Sequence, residues 1–410
     1  MIATRSEPLL PAQPFFSTPE QRLALARQRY FEEGVRPSGL VSEGVIQSWA
    51  RCLQARRAPH EAVAFNSVTA SRVHSALARS RLLLEAAANE LSQLESTLSG
   101  TTCTAILTDP QGVVVHATRS PRRDDQVLMP LASRVGVCLA EESIGTNAPG
   151  ITAHTGQPSM VLGGEHFFGC VQVMHCAAAP IRDVRGQVAG VLDLSNESQP
   201  FGFDAAAVVG LYATSIENRL LRAQSQEHIV VHFQTWPSLL GTPMEALAGI
   251  ASDGSVAWVN SAAARLLGHP LTGAGRRIGE VFGLEPQPLC ALTRRPDATA
   301  HRLPCGLSVW LIARMQAPDG SGKSFNLGAG GAVSPSLEMP TTVAGETLPH
   351  APAAAALPNG GATLRTAGQN LIEQTLADCG GNVSMTARKL GVSRGLVYRH
   401  VKKTRAAPHN

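Results

Sequence analysis

TAILTDPQGVVVHAT, residues Thr104 to Thr118, is where the hydrophobic period of the chain changes to two. It reads as a β-hairpin around Asp109-Pro110-Gln111-Gly112, with proline presetting the first turn position and glycine closing the turn. A second hairpin, AAPIRDVRGQVAGVLDLSN from Ala178 to Asn196, turns at Asp183 to Gly186. Ahead of the first hairpin, Arg81 to Leu98 reads as a helix. Leu84, Leu91 and Leu98 fall on heptad spacing with Ala87 and Leu94 between them, a stripe that packs either on its own domain or on a second copy of the chain. After the second hairpin comes another helix, with Val209, Ala213, Ile216 and Leu220 inward. Helix, hairpin, loops, hairpin, helix is an α+β arrangement built on an antiparallel sheet.

Between the hairpins runs GVCLAEESIGTNAPGITAHTGQPSMVLGGEHFFG, rich in glycine and polar residues. Its EESIGTNAPG (Glu141 to Gly150) and GGEHF (Gly163 to Phe167), with AAPIRD (Ala178 to Asp183) and GVLDLS (Gly190 to Ser195), resemble a GAF sensor domain of the acetoin-regulator type. The resemblance implies a small-molecule pocket between sheet and loops, where polar groups orient a ligand and apolar walls supply burial. Thr146, Asn147, His154, Glu165 and His166 are the candidate ligand residues. Thr146 and Asn147 also suit a cap or turn, and His154 a surface position. His166, Cys170, His175 and Cys176 lie close together, but their spacing matches no structural zinc pattern, and no metal or cofactor is expected. If Gly169 to Ala177 is a strand, Cys170 and Cys176 share one face and His175 takes the other.

Upstream, Gln21 to Ala58 carries helical signals, with Ser42 as cap and Ile46, Trp49 and Leu53 on one face. Arg51, Arg56 and Arg57 read as a solvated face. VIQSWARC, Val45 to Cys52, resembles the N-terminal helices of the acetoin-catabolism activators. Downstream, LLGTPMEALAGIASDGSVAWVNSAAARLLG (Leu239 to Gly268) has a hairpin turn at Asp253-Gly254 and a helix capped by Asn260 or Ser261. It resembles the front half of a PAS-like domain, whose remaining strands would be supplied by the continuation to Ile312.

Residues 316–361 hold 8 Gly, 6 Pro and 9 Ala among 46 residues with no sustained period, the composition of a linker. Ala317 to Ser324 fits a relaxed phosphate-loop pattern, yet the FNLGAGGAVSPS that follows cannot be the helix such a loop requires.

TAGQNLIEQTLADCGGNVSMTARKLGVSRGLVYRHVKK, Thr366 to Lys403, then reads as three helices. Leu371, Ile372, Leu376 and Cys379 line the first, which Gly380-Gly381 ends. Asn382 and Ser384 cap the second, Gly391 permits the turn, and Ser393 caps the third. Val397 and Val401 face inward, leaving Arg394, Arg399, Lys402 and Lys403 for a DNA major groove. GGN, AR, LGVSR and YR in this order resemble the Fis-type helix-turn-helix that closes bacterial enhancer-binding activators. Asn382, Ser384, Ser393, Arg394, Gly395, Tyr398, Arg399, Lys402 and Lys403 are the candidate DNA-binding residues. Two positions depart from that family: Leu396 cannot bond a base, and Gly395 costs the helix about 1 kcal/mol against alanine. From Arg365 onward eight lysines and arginines face only Glu373 and Asp378, a net of +6 in a chain whose total is +4. The positive charge sits where DNA contact would need it.

These readings divide the 410 residues into an N-terminal helical region (1–80), a GAF-like sensor (81–225), a PAS-like module (236–314), a linker (315–362) and an all-α helix-turn-helix (363–405). No run reaches 18 apolar residues and the N-terminus lacks the order of a signal peptide, so a cytoplasmic protein without membrane contact is expected. Eight scattered cysteines without a CxxC pair suit reduced thiols. In the activators that the chain resembles, an ATPase domain separates sensor from helix-turn-helix. Here 46 residues occupy that place, too few for such a domain. The expectation is a non-enzymatic, sequence-specific regulator of double-stranded DNA, controlled by a small-molecule effector. It would act as a homodimer that recruits or blocks RNA polymerase by occupancy. The alternatives are a GAF-domain redox enzyme of the methionine sulfoxide reductase kind with a DNA-binding tail, built on Cys138, Cys170 and Cys176, an architectural DNA binder, and a truncated activator that interferes with a full-length relative.

Overall fold

The computed structural model describes residues 18–119, 126–225, 228–268, 275–316, 322–323, 375–377, 379 and 381–390. The chain divides into two compact units, Met1–Gly330 and Gly331–Asn410.

The first unit contains two antiparallel sheets. One comprises β1 (Thr104–Thr108), β2 (Val114–Ala117), β3 (Ser159–Leu162), β4 (Met174–Arg182) and β5 (Val188–Glu197), in the order β2-β1-β5-β4-β3. Both expected turns are present: the Gly112 amide donates to the Asp109 carbonyl at 3.0 Å and that of Gly186 to Asp183 at 2.9 Å. Each glycine has positive φ, +77° and +73°, where a Cβ would be strained. Strand alternation divides the side chains between two cores. Ala177, Ala179 and Ile181 of β4 and Leu192 and Leu194 of β5 pack under helices α4 (Arg81–Leu98) and α8 (Ala205–Ala223). Cys176, Ala178 and Val191 point to the opposite face. That face is covered by α2 (Glu43–Gln54), by the short helices α5 (Met129–Ala132), α6 (Glu141–Ile144) and α7 (Ala148–Thr155), and by aromatics of the loop after β3.

The two readings left open for α4 are now separated. Leu83, Ala87, Leu91, Leu94 and Leu98 are buried in the domain's own core with α8, while Leu84 sits at its margin. A helix that packs on a sheet follows the 3.6-residue period, so the heptad stripe is used inside one copy.

The second sheet has the order β11-β10-β6-β7-β8, with β9 paired to β10. Its strands are β6 (Ile229–Gln234), β7 (Ala246–Ile250), β8 (Val256–Val259), β9 (Thr299–Arg302), β10 (Ser308–Gln316) and β11 (Gly322–Lys323). Asn260 caps α9 (Ser261–Leu267), accepting from the Ala263 amide at 2.8 Å, and Gly268 ends that helix at φ +67°. With α10 (Ile278–Phe282) and α11 (Pro286–Leu292) this forms a second α+β module. Two boundaries differ from the sequence reading. The sequence places the module's start at 236, whereas β6 lies between β10 and β7 in the middle of the sheet. IVVHFQ is a short apolar run with no turn signal to separate it from α8. At the other end, Gly322-Lys323 pairs with Met315 and Gln316, so backbone hydrogen bonding continues into the segment read as linker. Leu221 of α8 and Val184 of the β4–β5 turn pack with Val230, Leu247 and Trp258, joining the two sheets through an apolar contact.

In the second unit the Gly381 amide donates to Leu376 O at 2.9 Å with φ +81°, the expected glycine helix end. Asn382 caps the helix Val383–Leu390, accepting from the Met385 amide at 3.1 Å. Thr386 and Ala387 are buried. Of Ser384 only the helical backbone is described, and Ser393, Arg394, Gly395, Tyr398, Arg399, Lys402 and Lys403 lie outside the described residues. Among the described residues no helix is long and apolar enough to cross a membrane.

Candidate functional site

Because side chains alternate along β5, Asp193 and Ser195 share the face of Val191. They therefore point away from the α4–α8 core, into a cavity also walled by Phe65, Ile106, Leu139, Ile144, Val171 and Met174. Cys176 of β4, opposite Ser195 in the sheet register, reaches the same space, as do His166 and Asn147. About 30 Å³ is open to the centre of a water-sized sphere. At roughly 10–15 Å³ per water on that measure, this is room for two or three waters, so any larger ligand must displace the lining.

The polar groups form one chain. Ser195 Oγ lies 2.6 Å from Asp193 Oδ2 and 3.1 Å from Cys176 Sγ, and Cys176 Sγ lies 3.6 Å from His166 Nε2. His166 Nδ1 is 3.0 Å from the Gly163 carbonyl, which can only accept, so Nδ1 carries the proton and Nε2 the lone pair. Burial favours the neutral form of every member. It pushes the Asp193 carboxyl up to about 7, against the lowering effect of Ser195. The same burial drives His166 down to about 4, and together with Asp193 it raises the Cys176 thiol well above its ordinary value. A neutral relay satisfies all the geometry: Asp193 donates to Ser195, Ser195 to the sulfur, and the S–H to His166 Nε2. Asp193 Oδ1 is left buried and without a partner among the described residues. It is an acceptor at the cavity wall.

The five candidate ligand residues divide. His166 and Asn147 line the cavity; Thr146, Glu165 and His154 do not. Asn147 is occupied as the cap of α7, accepting from the Gly150 amide at 2.8 Å and donating to Gly145 O at 2.7 Å. Thr146 is buried against α2, bonded to the Ser48 hydroxyl at 2.8 Å. Glu165 accepts from the Leu162 amide at 2.9 Å, and His154 is exposed on α7. Asp193 and Ser195 were missed as site residues. The available signal was a carboxylate and a hydroxyl alternating with leucines in GVLDLS, where a buried strand would otherwise be apolar. Cys170 does not share a strand face with Cys176: residues 169–171 form a 3₁₀ turn, and the strand begins at Met174.

The N-terminal region closes over this site, and two of the three arginines read as solvated, Arg51 and Arg57, are part of the closure, while Arg56 is exposed as expected. Arg51 makes a two-pronged pair with Glu141 at 2.6 and 2.8 Å. Arg57 pairs with Glu61, donates to Glu142 O and stacks on Phe168 at 4.6 Å. Arg27, from α1 (Pro19–Arg27), donates to the carbonyls of Gly164, His166 and Phe167, while the Trp49 indole donates to Glu165 O at 2.8 Å. On α2, Cys52 joins Ile46 and Trp49 in the buried stripe, and Leu53 is exposed.

Two family patterns match the chain. That of the MimR N-terminal domain covers residues 18–211, and that of the bacterial regulatory proteins of the Fis family covers 363–403. The chain carries a MimR N-terminal domain and a Fis-type helix-turn-helix. The MimR match begins at the first described helix and takes in both the arginine closure and the cavity. Similar proteins include the propane 2-monooxygenase operon transcriptional activator MimR of Mycolicibacterium smegmatis, 29% identical over 203 residues, 48% of this chain and 32% of that one. The acetoin dehydrogenase operon transcriptional activator AcoR of Bacillus subtilis is 27% identical, with 41% of this chain and 28% of that one aligned. The acetoin catabolism regulatory protein of Cupriavidus necator is 28% identical, over 59% and 38% of the two chains. The matched regions thus span roughly a third of these relatives' length. Among solved structures, the E. coli DhaR(N)-DhaL complex contains a chain of 18% identity and TM-score 0.41, with 66% of this chain and 99% of that one covered.

Proposed function

We propose that the protein is a DNA-binding transcriptional regulator, controlled by a small uncharged molecule bound at the Asp193 cavity of its MimR N-terminal domain. The observation that carries the effector half is Asp193 Oδ1, a buried acceptor without a partner among the described residues, in a pocket with apolar walls where burial favours the neutral form of the titratable groups. A charged ligand would meet no compensating charge there and would lose its hydration, whereas a hydroxyl or N–H donor would complete the relay. The Fis-type match and the concentration of positive charge after Arg365 support double-stranded DNA as partner. The 46 residues between module and helix-turn-helix support action by occupancy, with RNA polymerase recruited or blocked and no ATP hydrolyzed. Paired DNA heads in a homodimer would add avidity.

The redox-enzyme reading needs an activated cysteine in an electropositive, accessible place. Cys176 is buried, with its thiol pKa raised, and Cys170 is exposed beside Glu61 O. The regulator reading is tested by genome-wide footprinting of the tagged chain, grown with and without the substrates of the operons it occupies. Discrete protected promoters whose occupancy changes with one small neutral metabolite support it. Uniform coating of DNA, or occupancy indifferent to Asp193→Leu and to every metabolite, overturns it.

A further inference from the structure

A second cavity lies where the end of α8 meets β6, β10 and the loop before β7, with a volume of about 570 Å³. Its lining is unlike that of the Asp193 site: Arg219, Arg222 and Arg314 converge with His232 and Glu245. Arg219 is matched by Glu90, Nε to Oε1 at 2.5 Å. Arg222 bonds its own helix, Nε to Asn218 O at 3.1 Å, and feels the Glu245 carboxylate across the cavity, but among the described residues neither it nor the exposed Arg314 has a carboxylate within ion-pair distance. His232 is buried, with Nδ1 3.0 Å from Glu245 Oε2. Among the described residues its Nε2 is buried without a partner. Glu245 also accepts from the Gly241 amide at 2.8 Å, so it is already bonded within the protein.

We infer that this cavity is a second ligand site, for a small anionic metabolite bearing a carboxylate or phosphate group. Arg222 and Arg314 supply planar donors suited to either oxyanion. The location matters because the lining comes from both modules: Ala86 from α4 and Arg219, Arg222 and Ala223 from α8, and the remainder from the second sheet and its loop. An anion held here would link the sensor's last helix to the PAS-like sheet, giving the regulator an input separate from the Asp193 cavity.

The test is calorimetric titration of the full chain with inorganic phosphate and, separately, with succinate at matched ionic strength. Saturable one-site binding of either anion, weakened about tenfold or more by Arg314→Gln, is expected, as for loss of one charge-assisted hydrogen bond. Arg314 is exposed, so the variant should fold, which its melting temperature checks, and Arg72→Gln on the exposed face of another helix should bind like the wild type. Binding of phosphate alone assigns a phosphate ester, and of succinate alone a carboxylate. Absence of saturable binding for both, or equal binding by the Arg314 variant, overturns the inference. The result is independent of the Asp193 cavity, since Asp193→Leu should leave anion binding intact.

Discussion

Nδ2 of Asn260 donates to Oδ1 of Asn218 at 2.8 Å, a buried bond between the cap of α9 and the body of α8. The Asn260 Oδ1 atom meanwhile accepts from the amides of Ala263 and Leu247, at 2.8 and 3.0 Å. One residue therefore starts a helix, ties it to β7 and anchors the whole module to the sensor. Glu217 adds a neighbouring bond, accepting from the Ser261 hydroxyl at 3.2 Å. The joint is polar as well as apolar, so its orientation is specified.

Asn218→Ala removes that bond and the one from Asn218 Nδ2 to Pro243 O. Unfolding of the first unit in urea should show a loss of about 1–3 kcal/mol. Two separated transitions in place of one would indicate that the joint couples the modules.

Gly145 of EESIGTN has φ +69°, and a Cβ there would lie 2.7 Å from the Phe168 ring. Gly145→Ala should cost at least ~2 kcal/mol, through strained backbone and displacement of a buried aromatic. A melting temperature within a degree of the wild type would contradict this packing.

Asp193 gives a pH signature. With its folded value near 7, above the ordinary ~3.9, the group binds its proton more tightly in the folded state. Its contribution is whole below about pH 4 and is lost as pH rises toward 7, a change on the order of 4 kcal/mol. His166, lowered to about 4, has the opposite sense: its contribution is present above about pH 6.5 and is lost as pH falls through 4. Relative to wild type, Asp193→Asn should therefore gain stability steadily between pH 4.5 and 7.5 in urea titrations. A difference that does not vary with pH would mean that the carboxyl is ionised and the neutral relay does not exist.

On the helix-turn-helix, Arg399→Ala should abolish discrimination between operator and random DNA. Lys403→Ala should weaken all sites alike and reduce the salt dependence of binding by about one phosphate contact. Gel-shift titrations over a range of salt measure both, and retained selectivity in the Arg399 variant would place base reading elsewhere.

The local devices of this chain were legible in its residues. Gly112, Gly186 and Gly254 mark three turns, Ser42, Asn260 and Asn382 cap three helices, and the helices flanking the first sheet carry their apolar stripes in order, because each depends on neighbours within a few residues. The α+β class followed from these, whereas the sensor type and the Fis-type ending rested on the resemblance of motifs such as EESIGTNAPG and LGVSR to known families. The candidate site was legible only in part. His166 lines the cavity, yet Asn147 is a cap and Thr146 a bridge to α2, since which partner a polar loop residue meets depends on chain far away in sequence. Nor does charge spacing reveal that Arg51 answers Glu141, 90 residues on, or that α4 turns its leucines inward. Sequence by itself determined the turns, the caps, the apolar helix stripes and the local concentration of positive charge. Tertiary structure alone decided which face of β5 looks into a cavity, and thereby left one oxygen of Asp193 without a partner among the described residues. Burial is a property of the packed sheets, and it is burial that makes that oxygen a site.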